Sequence, residues 1–550
     1  MVSFEYSLPA PGIGMIRAAM TAADITPEEN VYLEGYEAHG DLSLSHCPDD
    51  FTSDLKARIL LLDNGTERLA VINVELIFVT IGEGACAFSD RTLEEIANAA
   101  HTKTENILLS NTHTHHAPMH LAACQRKRVI EGVRKAYNAL RPARISVGGG
   151  HTIFGVSRGN DYGIDPERAY DDRITVIRFD EAASSRPIGM IYSVPIHNTL
   201  YGHGPGLKKN RHLLNCEFTG YASRSLEARY GTSDMPFVAM HLNGFYGNSG
   251  PVYRDRFYAE SFDALKQAGA EFAEELSGVF ENAEAVAQDT AFDIRTKLCH
   301  TALPTKASRG YEEFFGAYDM MPLHIKLGAF GNCAYVGVNY EPFAVLGARI
   351  RMEAPYALVL PAANIFGWNG YIPTNQTFEA HERELEVECQ DFKTPLCAEA
   401  DDVFCRSVVS ALCDLAGVSP KMQKAASQGV TMTDSGFAEY AFTLQEPFLT
   451  DKIMLSFGQK LRSDCAESFG LTACSDDGRQ VLCCEEQCFS SGFFGVFLPR
   501  RAVVSKLKLL VKKRYGRWKP ELMALHPELT AVRFERGSDS LRNERGEQTL

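Results

Sequence analysis

The sequence predicts an α/β fold of layered mixed sheets flanked by helices, followed by a smaller β-rich C-terminal domain. Three observations predict it. Residues 69–79 are mostly apolar and β-branched, as in a buried strand. Strand and helix patterns then alternate along much of the chain, which suits a layered core. After about residue 420 the texture changes. Short β-like runs such as Phe493-Phe494-Gly495-Val496-Phe497-Leu498 sit there between polar, glycine-containing turns.

In chain order, the strand at 69–79 leads to a helix at 91–101 and a second strand at 106–110. Helical patterns recur near 125–140, 219–229, 262–285 and 402–416. Strand patterns recur at 173–179, 188–196, 236–242, 333–340 and 356–361. The last helix carries a stop signal, with Gly417 at its end and Pro420 just beyond. A chain of 550 residues is too long for one ordinary core. The expected division is a domain over 1–418 and a β-rich one over 419–550, with a frayed polar end from about 537.

The net charge of −15 argues against a general nucleic-acid binder. The start of the chain lacks the basic and apolar regions of a secretory leader, and no apolar run reaches membrane-span length. A cytoplasmic protein is therefore expected. The cysteine count of 15 is odd, so free thiols are expected. Cys474, Cys483, Cys484 and Cys488 cluster without a zinc-ribbon spacing. Lys506, Lys508, Lys512, Lys513, Arg514, Arg517 and Lys519 form a basic stretch. Its alternation with Leu507 and Leu509 fits a strand with one solvated face. A weak membrane-surface contact is the less favoured reading of the same stretch.

Chemistry concentrates in Asn111-Thr112-His113-Thr114-His115-His116-Ala117-Pro118. It reads as a strand running into a loop, so His113 and His115, two apart, are expected to face one pocket while His116 faces away. Neutral imidazoles there suit a borderline metal such as zinc, which can activate water. A His-x-His pair alone is more often surface or core than ligand, and a zinc site needs about three protein ligands.

Further segments supply the others in order. Ala22-Ala23-Asp24-Ile25-Thr26-Pro27 with Gly35-Tyr36 resembles the opening of the neutral/alkaline ceramidase family. The histidine segment resembles that family's Thr-His-Thr-His-Ser-Gly-Pro signature, and the similarity spans roughly residues 10–415. The resemblance implies a zinc-dependent hydrolase of a carboxylic amide acting on a small-molecule or lipid amide substrate. It implies that His113 ligates zinc and that His115 lies at the reacting centre. His197, in Ser193-Val194-Pro195-Ile196-His197-Asn198-Thr199, matches the later zinc histidine, with His203 and His212 as competitors. Glu341, in Asn339-Tyr340-Glu341-Pro342-Phe343, matches the carboxylate ligand. Tyr371, in Tyr371-Ile372-Pro373-Thr374, matches the ligating tyrosine. Arg158, in Val156-Ser157-Arg158-Gly159-Asn160, matches the substrate-contacting arginine.

Two histidines and a carboxylate with an open position are also a recurrent hydrolytic zinc arrangement in their own right. His115 is then placed to move a proton to a leaving amine. Arg158 is suited to a polar or anionic group, and Tyr371 to the metal or a developing oxyanion. The chain also departs from the family. Ser-Gly-Pro of the signature becomes His116-Ala117-Pro118. The Gly-Asp-x-Ser-Pro turn becomes Gly247-Asn248-Ser249-Gly250-Pro251, so Ser249 receives no catalytic role. Where a second tyrosine follows in the family, this chain has Glu382-Arg383-Glu384. Two other readings therefore stay open: an esterase or amidase for a small non-lipid substrate, and a non-catalytic binding relative.

Overall fold

A computed structural model describes residues 16–29, 31, 33, 55–81, 87–118, 120–158, 170–201, 213–285, 292–305, 320–375, 396–432, 437–457, 466–487, 492–513 and 527–536. The largest sheet holds β1 (Ile16–Asp24), β2 (Lys56–Asp63), β3 (Arg68–Val74), β4 (Ile107–Asn111), β5 (Arg141–His151), β7 (Arg173–Glu181), β8 (Pro187–Ser193) and β9 (Val238–Leu242). Their order is β4-β3-β2-β1-β5-β7-β8-β9, and β11 (Glu284–Ala285) pairs with β5. Its other pairings are antiparallel, but the two end pairs, β3 with β4 and β8 with β9, are parallel. A short ribbon of β6 (Gly155–Ser157) and β10 (Ser249–Pro251) lies apart from it.

Alternation along β7 shows why the sheet is covered on both faces. Ile174 and Val176 enter one buried cluster, whereas Ile177 and Phe179 enter another. The helices α1 (Asp90–Ala100) and α2 (Ala123–Asn138) serve the second, through Ile96, Val129 and Val133. Helices α3 (Glu217–Tyr230) and α4 (Phe262–Glu281) serve the first, through Phe218, Phe272 and Leu276. The sheet curls until its end strands approach, and Asn243 just past β9 donates to the Asn111 side chain of β4 at 2.8 Å.

A second sheet holds β12 (Ile294–Pro304), β13 (Met320–Phe330), β14 (Cys333–Val338) and β16 (Leu358–Ala362), in that order, with β14 and β16 parallel. It docks on β4, where the Tyr335 hydroxyl donates to the Leu109 carbonyl. After β14 come β15 (Glu341–Pro342), which pairs with β17 (Tyr371–Ile372), and the helix α5 (Ala344–Glu353). Helix α6 (Ala400–Ala416) ends where its sequence signal places the stop, with Gly417 at φ 67°.

The C-terminal sheet is antiparallel: β18 (Val418–Met432), β19 (Phe437–Ser456), β20 (Ala466–Cys474), β21 (Gln480–Gln487), β22 (Phe493–Lys513) and β23 (Glu528–Arg536), in the order β18-β23-β19-β22-β20-β21. On β22, Leu507, Leu509 and Val511 are buried while Lys506, Lys508 and Lys512 face solvent. This is the strand with one solvated face that the sequence predicts, and Lys508 pairs with Glu439 at 2.9 Å. The sheet touches α5 through Lys452. Its fully buried amine donates to the carbonyls of Arg351 at 3.0 Å and Ala354 at 2.8 Å, at the helix's C-terminal end.

The layered mixed-sheet reading holds, although strand outweighs helix. Element ends differ for identifiable reasons. The strand expected over 69–79 stops at Val74, because Glu75 turns inward to a buried arginine. The strand expected over 188–196 stops at Ser193, before Pro195. The helix expected over 262–285 stops at Glu281, where Asn282 caps it and β11 follows. The described cysteines are unbridged. Among the described residues, no helix is long and apolar enough to cross a membrane. Gly35, Tyr36, His203, His212, Gly159, Asn160, Glu382, Arg383, Glu384, Cys488, Arg514, Arg517, Lys519 and 537–550 lie outside the described residues.

Two buried charges anchor these layers. Arg58 on β2 donates to Glu75 at 2.6 Å and to Glu227 of α3 at 2.7 Å, and Glu75 also accepts from the Lys56 backbone at 2.7 Å. Replacing Glu75 by alanine leaves a buried guanidinium short of a partner and is expected to destabilise the fold by about 3–5 kcal/mol, read by chemical denaturation. Burial pushes the Lys452 amine down to about 7 from its ordinary 10.5. Between those pH values the unfolded chain binds the extra proton, so stability rises with pH; below about 7 both states hold it and this contribution is flat. Stability of the native protein, relative to Lys452→Met, should rise from pH 7 to 10 in the same denaturation assay.

Candidate metal centre

The C-terminal ends of three parallel pairs, β3–β4, β8–β9 and β14–β16, converge on one buried point, as open α/β sheets tend to arrange. His113 follows β4, His197 follows β8 and Glu341 follows β14. Their ligand atoms all lie within 4.8 Å of one another, and all three residues are buried. His113 Nε2 is 3.7 Å from Glu341 Oε1, and His197 Nε2 is 3.2 Å from Glu341 Oε2.

Each imidazole is fixed by the backbone on its far side. His113 Nδ1 donates to the Ile77 carbonyl at 3.1 Å. His197 Nδ1 donates to the carbonyls of Ser249 at 2.8 Å and Tyr246 at 3.0 Å. With Nδ1 holding the hydrogen, Nε2 of each ring presents a lone pair to the centre. Burial lowers the His113 pKa to about 4, against the pull of Glu341, with His197 and Arg158 lowering it further. Burial, then Arg158, holds His197 well below the ordinary histidine range. Both rings are thus neutral, as metal ligation requires. Glu341 Oε1 accepts from the Asn364 amide at 2.9 Å, whereas Oε2 is buried with no hydrogen-bond partner. An orphaned buried carboxylate oxygen facing two imidazole lone pairs fits a divalent cation, and the N, N, O donor set suits zinc.

His115 lies beside this group, with Nε2 3.1 Å from His113 Nε2. The two histidines meet, but not through strand alternation. The strand ends at Asn111, and His113 adopts a left-handed backbone, φ 58°, that turns both rings inward. His116 faces away, as expected, and its ring nitrogens meet the carbonyls of Leu213 and Tyr201, both at 3.0 Å.

Tyr371 is the bridge partner of Glu341, and its ring lies 6.5 Å from that of His197. The half-buried Arg158 guanidinium stands 5.9 Å from the Tyr371 ring centroid and donates to the Gly247 carbonyl. These contacts account for the altered turn. A Cβ at Gly250 would meet the Arg158 side chain at 2.8 Å, so a serine there would displace it. Asn248 serves α5, accepting from the Ala344 backbone at 2.8 Å.

The sequence reading omitted two residues at the centre. Asn364, after β16, has φ 59° and links Glu341 to the Tyr246 hydroxyl, 2.7 Å away. Tyr246 is buried with its ring 4.6 Å from His113 and 4.5 Å from His197. Neither has a metal-ligand spacing, and an Asn-x-Phe-Gly or Phe-Tyr-Gly turn is unremarkable in sequence. At the rim, half-buried Phe78 stacks on Trp368 at 6.1 Å and lies 5.9 Å from the His113 ring. Among the described residues, this is the one group of three or more His, Cys, Asp or Glu arranged to hold a metal ion.

No family model matches the chain, and no curated protein matches it. Solved structures do. The chain is similar to neutral ceramidase from Pseudomonas aeruginosa, with a TM-score of 0.51 and 16% identity, over 94% of this chain and 98% of that one. A ceramidase complexed with C2 gives a TM-score of 0.53 at 16% identity, over 94% and 99% of the two chains. The likeness is one of fold, and it runs nearly the full length of both proteins.

Asn364→Gly keeps the positive φ accessible while deleting the amide that holds Glu341. It is expected to weaken zinc binding by about 10–100-fold, measured by competition with a chromogenic chelator.

Proposed function

We propose that the protein is a zinc-dependent hydrolase that cleaves a carboxylic amide, that is, an N-acyl bond. The observation that carries this reading is the buried His113–His197–Glu341 set, with its imidazole lone pairs and orphaned carboxylate oxygen directed at one point. The fold shared with neutral ceramidase supports an amide over other hydrolysable bonds. His113, His197 and Glu341 hold the ion, with Tyr371 as a further ligand. Zinc there supplies Lewis acidity toward a carbonyl and lowers the pKa of water.

The remaining work falls to the chain's own side chains. His115, partly open to solvent, takes the proton released by the attacking water and delivers it to the leaving nitrogen. One C–N bond breaks, one C–O bond forms, and the products are an acid and an amine. Arg158 holds a polar group of the substrate opposite Tyr371. Phe78 and Trp368 give an apolar wall beside His113 that suits an acyl chain, which favours a lipid amide over a small polar one. In this reading the chemistry belongs to 1–418, and the β-rich 419–550 contributes none of these side chains.

Protein purified without added metal should carry about one zinc per chain, and chelation should abolish hydrolysis of an N-acyl amine until zinc is restored. His115→Ala should keep the zinc but lower kcat about 10²–10⁴-fold. A zinc-loaded protein that cleaves no amide in a broad screen would refute the proposal, and cleavage of esters alone would move it to an esterase.

A further inference from the structure

We infer that Tyr246 is a catalytic residue of this centre: its phenol O–H donates a hydrogen bond to the substrate's carbonyl oxygen as negative charge develops there. The inference rests on the hydrolase reading above and adds to it a residue that no motif marks.

Both hydrogens of the Asn364 amide are committed. Glu341 Oε1 takes one at 2.9 Å and the Tyr246 oxygen takes the other at 2.7 Å. His113 Nδ1, 3.4 Å from the same nitrogen, is no competitor, because it carries its own hydrogen for the Ile77 carbonyl. The Tyr246 oxygen is therefore an acceptor toward Asn364, and its own hydrogen must point elsewhere. Among the described residues, no hydrogen-bond acceptor is found for it. A buried hydroxyl with an unspent hydrogen is costly unless a ligand or water receives it.

Its place identifies the receiver. The phenol ring packs against both the His113 and His197 rings, which also touch each other, and its oxygen shares one amide nitrogen with a Glu341 carboxylate oxygen. The hydroxyl thus stands at the edge of the ligand set, where a carbonyl drawn to the ion brings its oxygen. A phenol keeps its hydrogen at neutral pH, so the group is an O–H donor there. During attack the water oxygen bonds the carbonyl carbon and the C=O π pair moves onto the carbonyl oxygen. The phenol bonds that oxygen without surrendering its proton, so His115 remains the proton carrier. A preorganised donor of this kind in a dry site acts more strongly on the developing charge than on the neutral carbonyl.

Tyr246→Phe keeps the ring packed against both imidazoles and removes only the hydroxyl. Zinc content, kcat and KM on an N-acyl amine, and affinity for a phosphonate mimic of the tetrahedral species are measured on the native and variant full-length proteins. The expected result is unchanged zinc, KM within about twofold, kcat lower by about 10²–10³-fold, and a comparable loss of phosphonate affinity. Unchanged kcat and phosphonate affinity would overturn the inference. Loss of zinc from Tyr246→Phe would also overturn it, by assigning the hydroxyl to holding the ligands. Should the native zinc protein cleave no amide, the hydrolase reading fails by itself. Phosphonate affinity then decides the role of the phenol separately, and equal or absent binding in both proteins overturns it.

Discussion

The structure depends on one constraint: two neutral imidazoles and a carboxylate are buried together, so every polar atom they turn away from the shared point must find a partner in the protein. Burying such groups without partners costs several kcal/mol each. The partners are backbone carbonyls of Ile77, Ser249 and Tyr246 and the side chain of Asn364, which come from three separated stretches of chain. The loops around the centre are thereby committed to one arrangement. The carbonyl that holds His113 belongs to the segment that follows Glu75, and Glu75 is itself fixed by Arg58 and the Lys56 backbone. A buried ion pair in the layered core is thus continuous with the orientation of a candidate ligand.

The same reasoning gives the C-terminal sheet a mechanical connection to the centre. Helix α5 begins three residues after Glu341, and Asn248 caps its start. Its last carbonyls receive the buried amine of Lys452 from β19. Both ends of the helix are held by groups outside it, one from the altered turn beside Arg158 and the other from the C-terminal sheet. The carboxylate is in this way fixed from two directions, which is what a preorganised site requires.

Legibility in sequence followed the kind of interaction. His113 was readable as a candidate from its His-x-His segment at a strand end, whereas His197 and Glu341 were reached through the resemblance to the ceramidase family. Long-range pairing brought them within 4.8 Å. Strand alternation does not pair His113 with His115: a left-handed residue at His113 turns the rings together. Tyr246 and Asn364 were not readable. A tyrosine packed on two imidazoles, or an asparagine linking a carboxylate to a phenol, has no local pattern, since its role exists only through packing. The departures at Asn248 and Gly250 looked like losses in sequence. In the fold they are a helix cap and the space that Arg158 occupies.

By itself the sequence determined the alternation of buried strands and amphipathic helices, the stop of α6 at Gly417, the change to β texture beyond it and the one-sided polarity of β22. These are properties of neighbouring residues, written in periods of two and 3.6 and in the backbone freedom of glycine. Tertiary structure alone decided the curl that joins Asn111 to Asn243, the convergence of three parallel strand pairs, and the direction in which each buried hydrogen points. Those depend on residues between roughly 20 and 250 positions apart, and no local pattern fixes which distant carbonyl satisfies which ring.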